Sequence, residues 1–304
     1  MAAPRPLVWL ASHPKSGSTW LRFQLHHLLH GPPGSSADVN RGMPSIHDED
    51  PAPWTAALQV GGVMLSHKAP GPHLARLPPG DGVILLVRHP ADAVLSDARF
   101  FALTQLDAYV QSKGRTVDQA TDADIQHLLG LYLGGLLQQG SVPKQRRLGF
   151  GSWGEHAAGW LQTVAGRPHV VLRYEDLQRD GEAELRRVCV FLRRPLAPPA
   201  LRAAVAGSHL SAMKAMQERE ITARTPGRFY EARHAGAYKK GLRFVSQGRV
   251  GQGLRLPPAA LERLGALWAE PMARLGYRMP GAGDPVGPLP PDLAQVVPLR
   301  TPWP

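Results

Sequence analysis

A single cysteine in 304 residues leaves no possibility of an intrachain disulfide and argues against a cysteine-built metal site. That residue, Cys189, lies in the apolar-periodic stretch 185–192 and reads as a buried helix position. Long apolar runs are missing too. Nowhere do about eighteen apolar residues follow one another, so no transmembrane segment is expected. The first apolar run, 7–11, is five residues long, and Met1 to Pro6 lack the charged-then-apolar layout of a secretory signal, so the expectation is a soluble, cytoplasmic protein. No internal repeat occurs, and no long linker precedes residue 279, which predicts one domain over 1–279. Acidic residues are the scarcer charge. Asp and Glu number 24 against 35 Lys and Arg, and the net charge of +11 would concentrate polyanions at the surface. Charge alone does not separate a nucleotide from nucleic acid or an acidic membrane. Aromatic residues do not interleave the basic ones at regular spacing, however, and no nucleic-acid motif is present, so nucleic acid is not expected as a partner.

Four short apolar runs read as buried strands, at 7–11, 62–66, 82–87 and 169–173. Helical patterns fall near 18–30, 91–104, 122–139, 153–164, 182–193 and 258–275. Alternation of the two predicts an α/β domain with a central parallel sheet flanked by helices, in which ligands bind beyond the carboxyl ends of the strands. Residues 31–61, rich in Gly, Pro, Ser and Asp, read as a long functional or disordered loop. The basic stretch 219–256 is poorly periodic. Eight prolines in 280–304 predict an extended C-terminal tail that either wraps the domain or stays mobile.

The most informative segment is His13-Pro14-Lys15-Ser16-Gly17-Ser18-Thr19-Trp20, between the first strand and the first helix. Helix-terminal N–H groups lack intrahelical partners and the helix dipole favours negative charge there, while Lys15, Ser16, Ser18 and Thr19 add side-chain donors. The expected guest is a phosphate. The segment is not a Walker A loop, because Lys15 precedes the only glycine by two positions. Pro-Lys-Ser-Gly-Ser-Thr-Trp resembles the 5′-phosphosulfate loop of sulfotransferases that use 3′-phosphoadenosine 5′-phosphosulfate (PAPS), and implies a P-loop-like sulfotransferase fold.

Further segments carry the same resemblance, across about residues 7–277. Arg88-His89-Pro90-Ala91-Asp92, with Ser96 eight positions after the arginine, is similar to the family's 3′-phosphate motif and implies that Arg88 and Ser96 bind that phosphate. Asp92 reads more simply as a carboxylate in a first helical turn, able to pair with an arginine. Leu65-Ser66-His67 aligns with the family's Lys-Thr-His, which makes His67 the general base and leaves Leu65 where a lysine is usual. Lys68 is the nearest substitute, but adjacent strand residues point to opposite faces. Arg173-Tyr174-Glu175-Asp176-Leu177 implies an adenine contact for Tyr174, and Trp20 is expected to stack on the purine. The segment containing Ser208 aligns loosely with the adenine segment, with Leu210 in place of an aromatic. Gly151 to Trp160 resembles Gly-Ser-Trp-x-x-His-x-x-x-Trp: Trp153 is expected to begin a helix at the acceptor pocket, and His156 reads equally as a buried structural residue or a substrate contact. Around Gly248 and Arg249 the family's phosphate-binding basic pair is replaced by Ser246 and Gln247, with Lys239, Lys240, Arg243 and Arg249 as the nearest candidates for the missing charge.

The resemblance implies a PAPS-dependent sulfotransferase with PAPS as co-substrate and no metal. His67 and Lys15 are the catalytic residues. Lys15, Ser16, Gly17, Ser18, Thr19, Trp20, Arg88, Ser96, Tyr174, Ser208, Gly248 and Arg249 hold the nucleotide. Residues 1–279 form the sulfotransferase domain, and 280–304 the Pro-rich tail. Phe100, Phe101, Phe229, Tyr230 and Trp54, in stretches expected to set specificity, suggest an apolar or aromatic small-molecule acceptor. Two alternatives stay open: a degenerate, non-catalytic nucleotide-binding protein, and a P-loop kinase acting on a nucleotide or small molecule.

Overall fold

The computed structural model describes residues 5–304, so the amino-terminal stretch considered above lies partly outside the described residues. Four parallel strands, β1 (Leu7–Ser12), β2 (Gly62–Ser66), β3 (Gly82–Val87) and β4 (His169–Arg173), form one sheet in the order β2-β1-β3-β4. Register is continuous: Leu10 lies opposite Leu65 on one side and Ile84 on the other, and Leu85 opposite Val171. Every residue of β1, β3 and β4 is buried, as expected for strands covered on both faces.

Helices follow in chain order: α1 (Ser18–His30), α2 (Ser36–Gly42), α3 (Ala52–Val60), α4 (Pro90–Ser112), α5 (Asp122–Gln139), α6 (Pro143–Arg147) and α7 (Trp153–Val164). The second half holds α8 (Tyr174–Arg179), α9 (Gly181–Leu192), α10 (Pro198–Gly207), α11 (Leu210–Ala223), α12 (Ala235–Lys239), α13 (Pro258–Arg274) and α14 (Pro291–Ala294). The pleat sorts the core into two layers. Val8, Leu10, Ile84, Leu86, Val170 and Leu172 pack with residues of α1, α9, α10 and α11. Trp9, Ala11, Val83, Leu85 and Val171 pack on the other face with α4, α7 and α13. Because β1 has β2 on one side and β3 on the other, the chain leaves the sheet in opposite directions beyond β1 and β3. That crevice is where ligands bind in open α/β sheets.

The α/β expectation holds, with local differences, among them α10 and α11, which were not among the expected helices. Residues 31–61 are not one loop but carry α2 and α3. Helix α2 opens on a capping box in which Ser35 Oγ accepts from Asp38 N (3.3 Å) and Asp38 Oδ2 accepts from Ser35 N (2.8 Å). Both helices are too short for apolar periodicity to reveal. The Pro-rich tail is packed as a strap: His169 and Val297 exchange backbone hydrogen bonds of 2.8 and 2.9 Å, and the N–H groups of Leu299 and Trp303 donate to Phe191 and Leu192 at the end of α9. Leu299 and Trp303 are buried in the first core layer. Cys189 is buried on α9, as its periodicity requires.

Candidate active site

Beyond β1 the chain makes a tight left-handed turn. Lys15 has φ +66° and Gly17 has φ +102°, and Ser16 N donates to the His13 carbonyl at 3.2 Å. Gly17 is the N-cap of α1 and offers no side-chain cap, so the first N–H groups of the helix are left for another acceptor. A side chain at Gly17 is doubly excluded, because a Cβ there would sit 2.5 Å from Tyr174 Cδ2. Lys15 Nζ lies 4.4 Å from the centre of the Phe100 ring and 4.2 Å from that of Phe244. Burial lowers its pKa to about 7; Asp97 pulls it back up, while Arg228 and Arg88 push it further down.

Arg88 directly follows β3 and reaches the same turn. Its Nη1 donates to the Lys15 carbonyl (3.4 Å), its Nη2 to the Arg249 carbonyl (3.2 Å), and its guanidinium lies 4.2 Å from the centre of the Tyr174 ring. Its buried Nε has no hydrogen-bond partner. Asp92 lies in the first turn of α4 and does more than favour its dipole. It sits 3.6 Å from Arg88, and its two oxygens accept from Gly251 N (2.8 Å) and Gly253 N (2.6 Å), binding the 248–253 loop to the start of the helix. Tyr174 donates to the Gly248 carbonyl at 2.7 Å, and Trp20 meets it edge to face at 5.3 Å.

On the opposite side of β1, His67 follows β2. Its Nδ1 lies 2.6 Å from the Ser12 carbonyl, so Nδ1 carries the proton and Nε2 keeps its lone pair. His47, from the segment between α2 and α3, stacks on it at 5.2 Å, and His47 Nε2 accepts from the His67 backbone N–H at 2.8 Å. Burial holds the His67 pKa well below the ordinary imidazole value, with His47 pushing the same way. Leu65 points into the first core layer. Lys68 does not take its place: its ammonium lies 3.4 Å from the Leu148 carbonyl and is not part of the cavity wall.

These elements surround one cavity of about 1600 Å³. Lys15, Gly17, Ser18, Thr19, Trp20, His67, Arg88, Ser96, Tyr174, Gly248 and Arg249 all line it. Ser16 and Ser208 do not. Ser16 Oγ is buried without a partner, and Ser208 Oγ turns into α10, donating to Ala204 O at 2.6 Å, while the Ser208 carbonyl accepts from Trp20 Nε1 at 2.9 Å. Of the four basic residues near the eroded motif, only Arg249 lines the cavity. Lys239 pairs with Asp118, Lys240 donates to the Asp118 carbonyl, and Arg243 pairs with Glu218. Phe100, Phe101 and Tyr230 contribute to the wall, whereas Phe229 is buried against Phe23 and Trp54 packs on the second core layer. Trp153 begins α7 but lies in the core, donating to the Arg88 carbonyl at 3.1 Å; His156 is buried edge to face against His13.

Three wall residues escaped the sequence. His47 and Arg228 come from stretches without periodicity, and no motif marks them. Asp97 neighbours Ser96, yet its role depends on Tyr132 and Gln145, both of which donate to its carboxylate from other elements. Burial raises its pKa. Among the described residues, no three or more His, Cys, Asp or Glu side chains gather in a group able to hold a metal ion.

A parallel sheet with a lysine turn after its first strand and an arginine after its third, over a shared cavity, defines a P-loop-like α/β protein. A family model described as a sulfotransferase domain matches residues 82–249. The chain belongs to the sulfotransferase domain family. It is 29% identical over 250 residues to Sulfotransferase 2B1 of Homo sapiens, covering 77% of this chain and 59% of that one. It is 27% identical over 215 residues to Sulfotransferase 2A6 of Mus musculus, covering 67% and 65%. The chain thus spans less than two thirds of the length of these curated relatives. Solved structures share the fold: mouse sulfotransferase SULT7A1 complexed with PAP has a TM-score of 0.58 at 16% identity, covering 89% of this chain and 84% of that one. Retinol dehydratase in complex with androsterone and inactive cofactor PAP has a TM-score of 0.55 at 14% identity, covering 90% and 82%.

Proposed function

We propose that the protein transfers a sulfonate group from PAPS to a hydroxyl or amine of a small-molecule acceptor. The observation that carries this reading is that the Lys15 turn and the His67 imidazole line one cavity and are joined through the Ser12 carbonyl. The residues fit the nucleotide: the helix start is uncapped, Arg88 Nε lacks a partner, and Gly17 leaves room beside Tyr174. The Ser18 and Thr19 N–H groups and Lys15 bind the 5′ end, and Arg88, Ser96 and Arg249 bind the 3′-phosphate. Trp20, Tyr174 and Gly248 border the adenine. Ser16 and Ser208 support these groups from behind.

In the transfer, the acceptor oxygen or nitrogen bonds to sulfur while the bond from sulfur to the 5′-phosphate oxygen breaks. His67 Nε2 takes the acceptor proton, and Lys15 neutralises the charge left on the phosphate oxygen. Catalysis is then positioning and electrostatics. Phe101, Phe150 and Tyr230 in the wall, and the androsterone bound to a structural neighbour, support an apolar or aromatic acceptor. No described helix is long and apolar enough to cross a membrane, and the reading places the reaction in the cytoplasm. Residues 1–279 form the catalytic domain, with 280–304 as its strap.

The test is a mass-spectrometric screen for the gain of one SO3 unit across phenols, alcohols, amines and glycosides with PAPS supplied. A thermal-shift titration with adenosine 3′,5′-bisphosphate (PAP) and with ATP-Mg²⁺ accompanies it. Stabilisation by the bisphosphate and sulfonation of an acceptor are expected. Stabilisation by ATP-Mg²⁺ alone would sink the reading.

A further inference from the structure

Arg228 has no place in the motifs, yet the structure builds a seat for it. Its backbone N–H donates to Ser36 Oγ at 2.7 Å, and Ser36 is itself held by the buried Glu220, which accepts from Ser36 N and Oγ at 2.7 Å each. The side chain runs from this anchor into the cavity wall. Its guanidinium lies 4.8 Å from the centre of the Phe244 ring, the ring that Lys15 Nζ approaches to 4.2 Å. Arg228 Nε is buried and has no hydrogen-bond partner. Two cations therefore share one aromatic ring inside a cavity, an arrangement that repels itself until an anion arrives.

Two features place this anion at the reacting centre. Arg228 shares the Phe244 ring with Lys15 and the cavity wall with His67, the groups assigned to the two ends of the transfer, and its charge lowers the pKa of both. The segment that follows β2 brings no cation of its own to the cavity, since Leu65 is in the core and Lys68 lies outside the cavity wall. A group moving between a phosphate oxygen and an acceptor carries negative charge on oxygens throughout, and preorganised donors aimed at such oxygens are the largest single aid to this kind of reaction. A planar guanidinium, permanently charged, suits that task.

We propose that Arg228 is a catalytic residue that grips the oxygens of the sulfonate during transfer, beside the phosphate held by Lys15. The proposal rests on the sulfonate-transfer reading. The acceptor bond to sulfur forms and the phosphate bond breaks as stated above, with the proton going to His67; Arg228 gains and loses no proton.

The experiment compares wild type, Arg228→Gln and Arg228→Lys in PAPS binding, PAP binding and turnover, with melting temperature as the check on folding. PAP lacks the sulfonate. Arg228→Gln is expected to weaken PAPS binding about tenfold while leaving PAP binding within about twofold, the loss of one charge-assisted contact. Its kcat is expected to drop about a hundredfold, with partial recovery in Arg228→Lys. Equal loss of PAPS and PAP affinity would reassign Arg228 to a nucleotide phosphate and overturn the proposal. So would unchanged PAPS affinity with a raised KM only for acceptors that carry an anion. A wild type that binds both nucleotides but sulfonates nothing removes the transfer reading, while the PAPS-to-PAP ratio still decides whether Arg228 meets the sulfonate. Binding of neither nucleotide overturns both.

Discussion

His67 Nδ1 and the carbonyl oxygen of Ser12 lie 2.6 Å apart, joining the segment after β2 to the last residue of β1. One hydrogen bond thus sets the imidazole tautomer and ties the base to the strand that leads into the Lys15 turn. A base fixed this way keeps its free nitrogen on the cavity side without rotating.

Because burial holds the His67 pKa well below 6.5, the imidazole is neutral throughout the neutral range. The acid limb of kcat/KM, which reports the free enzyme, is expected well below pH 6.5. His67→Ala is expected to lose about a hundredfold or more in kcat while still binding PAP. An acid limb centred at an ordinary imidazole value would contradict the assignment.

Burial lowers the pKa of Lys15 as well, but its part in the site requires the protonated form. Its pKa is about 7, so above that pH it is mostly neutral, and an anionic nucleotide must bring a proton with it. PAP affinity is expected to fall as pH rises through about 7, with proton uptake seen by calorimetry in buffers of different ionisation enthalpy. Lys15→Ala should bind weakly at every pH and take up no proton. The unfolded chain keeps this proton up to about 10.5, so the lysine's contribution to stability becomes more favourable from about pH 7 toward 10.5.

Asp92 joins Arg88 to the backbone of Gly251 and Gly253. Asp92→Ala leaves a buried guanidinium and two N–H groups without this partner, and is expected to cost about 3–5 kcal/mol. Asp92→Asn keeps an acceptor and should cost less. Denaturant unfolding measures the cost, and amide exchange at Gly251 and Gly253 should accelerate in the alanine variant. Protection unchanged at both glycines would show that the loop is held by something else.

Trp303, the penultimate residue, is buried in the first core layer and lies outside the cavity wall. Trp303→Ala is expected to lower unfolding free energy by about 3–5 kcal/mol. Its PAP affinity at a temperature where it stays folded should match wild type. A tail that could be truncated without change in stability would mean that these contacts contribute nothing.

The strands, most of the long helices and the turn around Lys15 were legible in the chain because their signals are local, whereas α11 was not among the expected helices. Buried parallel strands read as short apolar runs, long helices as 3.6-residue periodicity, and an anion-binding turn as lysine, glycine and hydroxyls between the two. The short helices α2 and α3 fall below the length at which periodicity can be read, although the Ser35 and Asp38 capping pattern was there to see. Ser208 aligned with a nucleotide-contacting segment, yet its hydroxyl turns back into its own helix, since a hydroxyl near a helix end can bond the carbonyl four residues earlier.

By itself, then, the amino-acid sequence determined the α/β class, the phosphate-accepting turn at Lys15 and the arginine after the third strand. Only the tertiary structure decided which groups meet there. Arg228 comes to Phe244 through Ser36, 192 positions away in the chain, and Asp92 finds its partner Gly253 across 161 positions. Contacts of that separation are set by how core layers pack against the sheet, and packing leaves no periodic trace in the segments it brings together.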